Sequence, residues 1–208
     1  MVSDFFATTV DDWDDPSGAL HAYLLPDDAT VDALRPALAA LEPLDYLAVQ
    51  PASGLPATVL RFPSIIAELG ADPLRDLEAA VAAAAAGQGP LELTFGEPHP
   101  TSDSVLLAAN ADEGWDSLVE LIRRAGKQAL GDGADLYAPP FAPHLTLAYA
   151  TGDGDDARIN ELLDEAGACV QLGPVRFGQI AWCAVHQNRF EGTYTFDVLF
   201  HTPLGTGS

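Results

Sequence analysis

A histidine and a threonine two residues apart, His144 and Thr146, stand in the run Phe141-Ala142-Pro143-His144-Leu145-Thr146-Leu147-Ala148-Tyr149. Read as a strand, this run alternates, with His144, Thr146 and Ala148 on one face and Leu145, Leu147 and Tyr149 on the other. The apolar face is expected to go to helices. That leaves an imidazole able to move a proton near neutral pH beside a hydroxyl able to bind a phosphate oxygen, a pairing suited to acid and base work on a phosphate ester.

Other residues that do chemistry are thinly spread. His99 lies between two prolines, His186 ends a strand beside a turn and His201 is near the C-terminus, so each is expected at the surface. No HExxH or other close ligand pair occurs, and no Walker or GxGxxG sequence, so neither a metal nor a cofactor is expected. Cys169 and Cys183, without a CxxC, read as buried thiols rather than a disulfide or zinc ligands. Asp153-Gly154-Asp155-Asp156 lacks the register of a calcium loop and reads as the cap of the helix that follows.

Strands and helices must position these groups. Residues 1–18 show neither hydrophobic period and read as an extended acidic leader. Leu20 to Leu25 is a strand. Asp27, Asp28 and Thr30 offer caps to a helix carrying Val31, Leu34, Leu38 and Leu41, and Leu55 to Phe62 is the next strand. An alanine-rich helix ending at Ala86 and the strand Leu91 to Phe95 follow. The order then recurs: strand Ser104 to Ala109, a helix capped by Asp112, strand His144 to Tyr149, a helix near 157–166 and strand Cys169 to Leu172. Two long strands, Val175 to His186 and Thr193 to His201, close the chain around a turn at Asn188 to Gly192. Residues 19–97 and 104–172 thus share one order, which predicts internal duplication inside a single domain, 19–208, completed by a hairpin at 175–201. The fold expected is α+β and bilobal, with two antiparallel-rich sheets around a central cleft and helices outside.

The segment F-x-P-H-L-T-L-A-Y, placed at the third element of the second half, resembles the second signature of the two-histidine (2H) phosphoesterase superfamily, which includes the 2′-5′ RNA ligase and 2′,3′-cyclic phosphodiesterase families. The resemblance covers residues 19–201 and implies the duplicated bilobal fold. It also implies one H-x-[ST] in each lobe, with one histidine as base, the other as acid, and the hydroxyls on the phosphate. The corresponding strand of the first half, Leu55-Pro56-Ala57-Thr58-Val59-Leu60, keeps the threonine as Thr58 but has Pro56 where the histidine belongs. Proline cannot transfer a proton. His21, in the strand expected to neighbour Thr58, is the candidate stand-in, with Tyr23 on its face; the plainer reading is a strand histidine with a satisfied hydrogen bond.

Charge bounds the ligand. Nine Lys and Arg against 31 Asp and Glu give −22, with Lys127 the only lysine and no basic track for duplex DNA, long RNA or an anionic membrane. A small nucleotide or cyclic phosphate is the expected ligand, and a guanidinium should meet it. Arg61, three residues after Thr58, falls on the opposite face of an ideal strand, and Arg189 sits in the C-terminal turn; both are candidate substrate contacts, together with Tyr23 and Tyr149. No targeting or membrane segment is read, so a cytoplasmic monomer is the default. Two functions follow: hydrolysis of a cyclic or 2′-5′ phosphodiester without a metal, or a degenerate member that binds a nucleotide or protein without turnover.

Overall fold

The computed structural model describes residues 1–9, 18–131 and 142–205. A single turn, α1 (Phe6–Thr9), opens the chain, with the amides of Phe6 and Ala7 both donating to the Asp4 carboxylate. Then come β1 (Ala19–Leu24), α2 (Asp28–Leu41), β2 (Leu47–Val49), a 3-10 turn (Ala52–Gly54), β3 (Ala57–Ile65), α3 (Ile66–Leu69) and α4 (Ala71–Ala85). The chain continues through β4 (Leu91–Phe95), β5 (His99–Pro100), β6 (Ser104–Ala108), α5 (Glu113–Leu130), β7 (His144–Ala150) and α6 (Asp156–Glu165). It ends with β8 (Leu172–Phe177), β9 (Gln179–Asn188) and β10 (Thr193–Pro203). Asp27, Asp112 and Asp155 cap α2, α5 and α6 by accepting from the amides of Thr30, Trp115 and Ala157 at 2.8, 2.9 and 2.9 Å. Each satisfies a donor that helix geometry leaves open.

The strands form two four-stranded sheets, ordered β10-β9-β1-β3 and β2-β7-β6-β5, and a two-stranded ladder β4-β8, all antiparallel. α4 and α5 pack on each other and on β10 and β3 of the first sheet, while α2 and α6 pack together against β7, β8 and β5. The helix that follows β1 therefore crosses to the second sheet, and the helix that follows β6 crosses to the first. This interlock draws Leu34, Leu41, Phe62, Leu77, Leu107, Ile122, Leu145 and Trp182 into one contiguous core.

Two β-bulges decide what faces away from that core. Tyr23 pairs with Thr58 and Ala22 with Leu60, so β3 carries an extra residue at Val59. Val59 and Leu60 are both fully buried in the core, and Thr58 and Arg61 emerge together on the opposite face, across from Tyr23 and His21. β7 repeats the device: Val105 pairs with Ala148 and Leu106 with Thr146, which inserts Leu147. Leu147 and Ala148 both go to the core, and Tyr149 joins His144 and Thr146. Ideal alternation had sent Arg61 and Tyr149 to the helix side; the bulges turn both toward the other.

Elsewhere the elements differ from expectation in local ways. The stretch expected as one strand from Val175 to His186 is two, separated at Gly178, because β8 pairs with β4 whereas β9 pairs with β1. Cys169 lies outside any strand, which begins only at Leu172, and its thiol is half-buried; Cys183 is buried. Of the leader, Val2 pairs with Gly154 and is fully buried, as is Phe6 at 4% exposure, so its first residues are packed rather than extended free of the fold. Asp11, Asp12, Trp13, Asp14, Asp15 and Pro16, and likewise Pro139, Pro140 and Phe141 of the proline-rich loop, lie outside the described residues.

Candidate functional site

β3 and β7 are in contact where the two sheets meet, and their bulged faces carry the candidate residues. From the first sheet come Thr58, Arg61, His21 and Tyr23; from the second, His144, Thr146 and Tyr149. The two sets meet, since Tyr149 and Tyr194 stand near enough to Tyr23 to disfavour its phenolate. The internal repeat is visible at this level. Thr58 and Arg61 of β3 occupy the places that Thr146 and Tyr149 occupy in β7.

His144 is half-buried and its Nδ1 lies 3.0 Å from the Ala142 carbonyl oxygen. A carbonyl can only accept, so Nδ1 carries the proton and Nε2 is the free acceptor. Thr146, 8% exposed, lies two residues further along the same face. The counterpart of His144 on β3 is Pro56, half-buried just before the strand. His21 has the same backbone bond, Nδ1 donating to the Ala19 carbonyl at 3.0 Å, but it is 4% exposed. Burial, with a smaller push from the Arg61 charge and against the pull of that carbonyl, lowers its pKa from 6.5 to about 3. At neutral pH it is an imidazole without a proton to donate from Nε2. It also stands opposite Arg61, as Ser104 stands opposite Tyr149, and so lies beyond Thr58 from Pro56, roughly 15 Å along the strand from the vacant histidine place.

Tyrosines fill the middle of the site. Burial holds the Tyr23 hydroxyl well above the ordinary phenol range despite the Thr58 side chain beside it. Burial likewise pushes Tyr149 up to about 12, offset in part by Thr146, and raises Tyr194. All three stay protonated at neutral pH and act as neutral hydrogen-bond donors. Cys183, on the same face across from His21, is pushed by burial up to about 12 and is no nucleophile.

Sequence reasoning missed three contributors. Phe5 and Phe6 pack on both lobes at once: their ring centroids lie 4.4 and 5.7 Å from Tyr149, and 6.2 and 5.9 Å from Tyr194 of β10. Tyr194 itself meets Tyr149 at 5.2 Å. The only signal was an aromatic pair in an otherwise acidic leader. Arg189, by contrast, is exposed in the β9–β10 turn near Thr151, roughly 20 Å along β7 from His144, and does not join the group. His99 and His201 are exposed, and His186 accepts from the Gly18 amide at 3.1 Å. Among the described residues no group of three or more His, Cys, Asp or Glu converges as metal ligands would, and no helix is long and apolar enough to cross a membrane.

Comparison with known proteins agrees with this architecture. A protein of Thermus thermophilus, TT0787, superposes with a TM-score of 0.68 at 19% identity over 91% of this chain and 99% of that one. Escherichia coli LigT complexed with 3′-AMP gives 0.65 at 15% identity over 90% and 98%, and LigT complexed with ATP gives 0.63 at 15% over 91% and 99%. At such identities the likeness establishes the fold. No protein of curated function matches the sequence. The sequence model of the 2′-5′ RNA ligase superfamily matches residues 60–177, more than half of the chain and the whole of β7 with His144 and Thr146, and the chain therefore belongs to that superfamily.

Proposed function

We propose that the cleft binds a small nucleotide phosphodiester, cyclic or 2′-5′ linked, and hydrolyses it slowly with one histidine and no metal. The observation that carries this reading is His144, whose Nδ1 is tied to the Ala142 carbonyl so that Nε2 is free as a base, on one face with Thr146 and Tyr149. Thr146 and Thr58 hold the non-bridging phosphate oxygens, Arg61 supplies the positive charge, and the neutral hydroxyls of Tyr23 and Tyr149 donate to developing negative charge. Nε2 of His144 takes a proton from water as that oxygen bonds to phosphorus, and the bond from phosphorus to a ribose oxygen breaks. With Pro56 in the complementary place, the ribose oxygen takes its proton from solvent. His21, neutral and buried, supports Arg61 and Tyr23 rather than serving as the acid. Capture of ligands is a property of relatives, as the LigT complexes with 3′-AMP, ATP and NADP+ illustrate, and it supports a nucleotide-sized occupant here.

The test is hydrolysis of 2′,3′-cyclic nucleotides by wild type, His144→Ala and Thr146→Ala, with loss in both variants expected. Pro56 favours a second reading, binding without turnover. Saturable nucleotide binding with no product from any cyclic substrate would select it.

A further inference from the structure

A second pocket lies at the β9–β10 turn, apart from β3 and β7. The β9–β10 turn puts Phe190 wholly into solvent, at 101% exposure, next to Arg189. Both line an open depression of about 510 Å³, together with Asp4, Phe6, Ala7 and Thr151. Charge narrows the occupant. Arg35, Arg75, Arg124, Arg158 and Arg176 each hold a carboxylate, but Arg189, in a chain of 31 acids, holds none among the described residues. Asp4 on the cavity wall accepts from the amides of Phe6 and Ala7 and keeps its negative charge, as does exposed Glu191 beside the ring, but neither forms an ion pair with Arg189, whose guanidinium keeps its donors for a ligand.

The turn is also held in place. Gln50, 3% exposed, donates to the Gly192 carbonyl at 3.2 Å and accepts from the Tyr194 amide at 3.2 Å. Gly192 has φ +64, and a Cβ there would lie 2.5 Å from Thr151 and 2.6 Å from Ala48, so the turn sits directly on the second sheet. The backbone that carries the guanidinium and the ring is therefore already ordered, and binding has only the two exposed side chains left to immobilise.

We propose that this turn is a second ligand site, separate from the cleft, which takes a nucleotide: the base stacks on Phe190, the phosphate pairs with Arg189, and Thr151 offers a hydroxyl to the sugar or phosphate. Phe6 stands between this site and Tyr149, so one mononucleotide does not fill both. The site does not depend on catalysis in the cleft.

AMP is titrated calorimetrically into wild type, Arg189→Ala, Phe190→Ala and His144→Ala, with amide shifts followed at Thr151, Arg189, Phe190 and Gly192. Wild type is expected to show two classes of sites. Arg189→Ala and Phe190→Ala each weaken one class about tenfold or more and leave the other, and His144→Ala spares the class at the turn. Inorganic phosphate is expected to bind equally to wild type and Phe190→Ala. If the cleft binds no nucleotide, wild type and His144→Ala share a single class that the turn variants remove. An AMP isotherm unchanged in the Arg189→Ala/Phe190→Ala double variant, or shifts confined to the cleft, overturns the proposal. Both substitutions are at exposed positions, and thermal unfolding of each variant confirms that the fold is intact.

Discussion

At the scale of single residues, the proposed mechanism has a proton acceptor, His144, and a proline in the place of its complement. The shared face of His144 and Thr146 was legible because strand alternation places both on one side, and Pro56 was legible as a residue that cannot transfer a proton. Arg61 and Tyr149 were not, because a bulge leaves no mark in a run of apolar residues: Val59-Leu60 and Leu147-Ala148 read equally well as regular strand. If a missing acid limits turnover, Pro56→His should raise the rate of cyclic nucleotide opening about 100-fold, the scale of one general acid. The rate under single-turnover conditions checks this, and no gain would count against the assignment of that place. His21 makes a separate prediction about stability. Its imidazole stays neutral in the fold down to about pH 3, whereas in the unfolded chain it takes a proton near 6.5. The unfolded state therefore binds more protons in that window, and stability falls as pH drops from about 6.5 towards 3, by up to about 1.4 kcal/mol per unit. Urea midpoints against pH for wild type and His21→Gln should show that slope flattened in the variant.

At the scale of elements, the long helices and strands were readable from their periods and caps, and the short ones were not. β2 and β5 span three and two residues, too few for a period, and exist because β7 and β6 offer edges to pair with. The division at Gly178 depends on which partner each half of the run finds, which is tertiary information. The crossing of α5 onto β3 depends on a glycine. A Cβ at Gly126 would lie 2.4 Å from the Phe62 ring, and Phe62 is itself packed 5.7 Å from Trp182. Gly126→Ala is expected to cost about 1–3 kcal/mol by overpacking, read as a lowered denaturant midpoint. The N-terminal strap is the other element that matters to the site. Phe5 and Phe6 span Tyr149 and Tyr194, so Phe5→Ala with Phe6→Ala should raise hydrogen exchange at Tyr149, Ala150 and Tyr194 while leaving α4 and α5 protected.

At the scale of the whole molecule, the duplication was legible as a repeated order of elements, but the way the halves interlock was not. α2 and α5 each cross to the sheet of the other half while α4 stays on the first, a choice that no hydrophobic period encodes. The charge of −22 shapes encounter with any anionic ligand. Long-range repulsion reaches about 30 Å at 0.01 M salt and about 8 Å at 0.15 M, while a guanidinium contact within the cleft is screened far less. Association of a nucleotide should therefore quicken as salt rises across that range, opposite to proteins that grip nucleic acid with basic tracks. Stopped-flow association rates at the two salt concentrations check the sign.

The claim on which the functional account turns is that Nε2 of His144 is the proton acceptor for phosphodiester opening. It is tested most directly by the rate of 2′,3′-cyclic nucleotide hydrolysis in His144→Ala relative to wild type. A fall of about 100-fold or more is the expected result. Equal rates in the two proteins would contradict it.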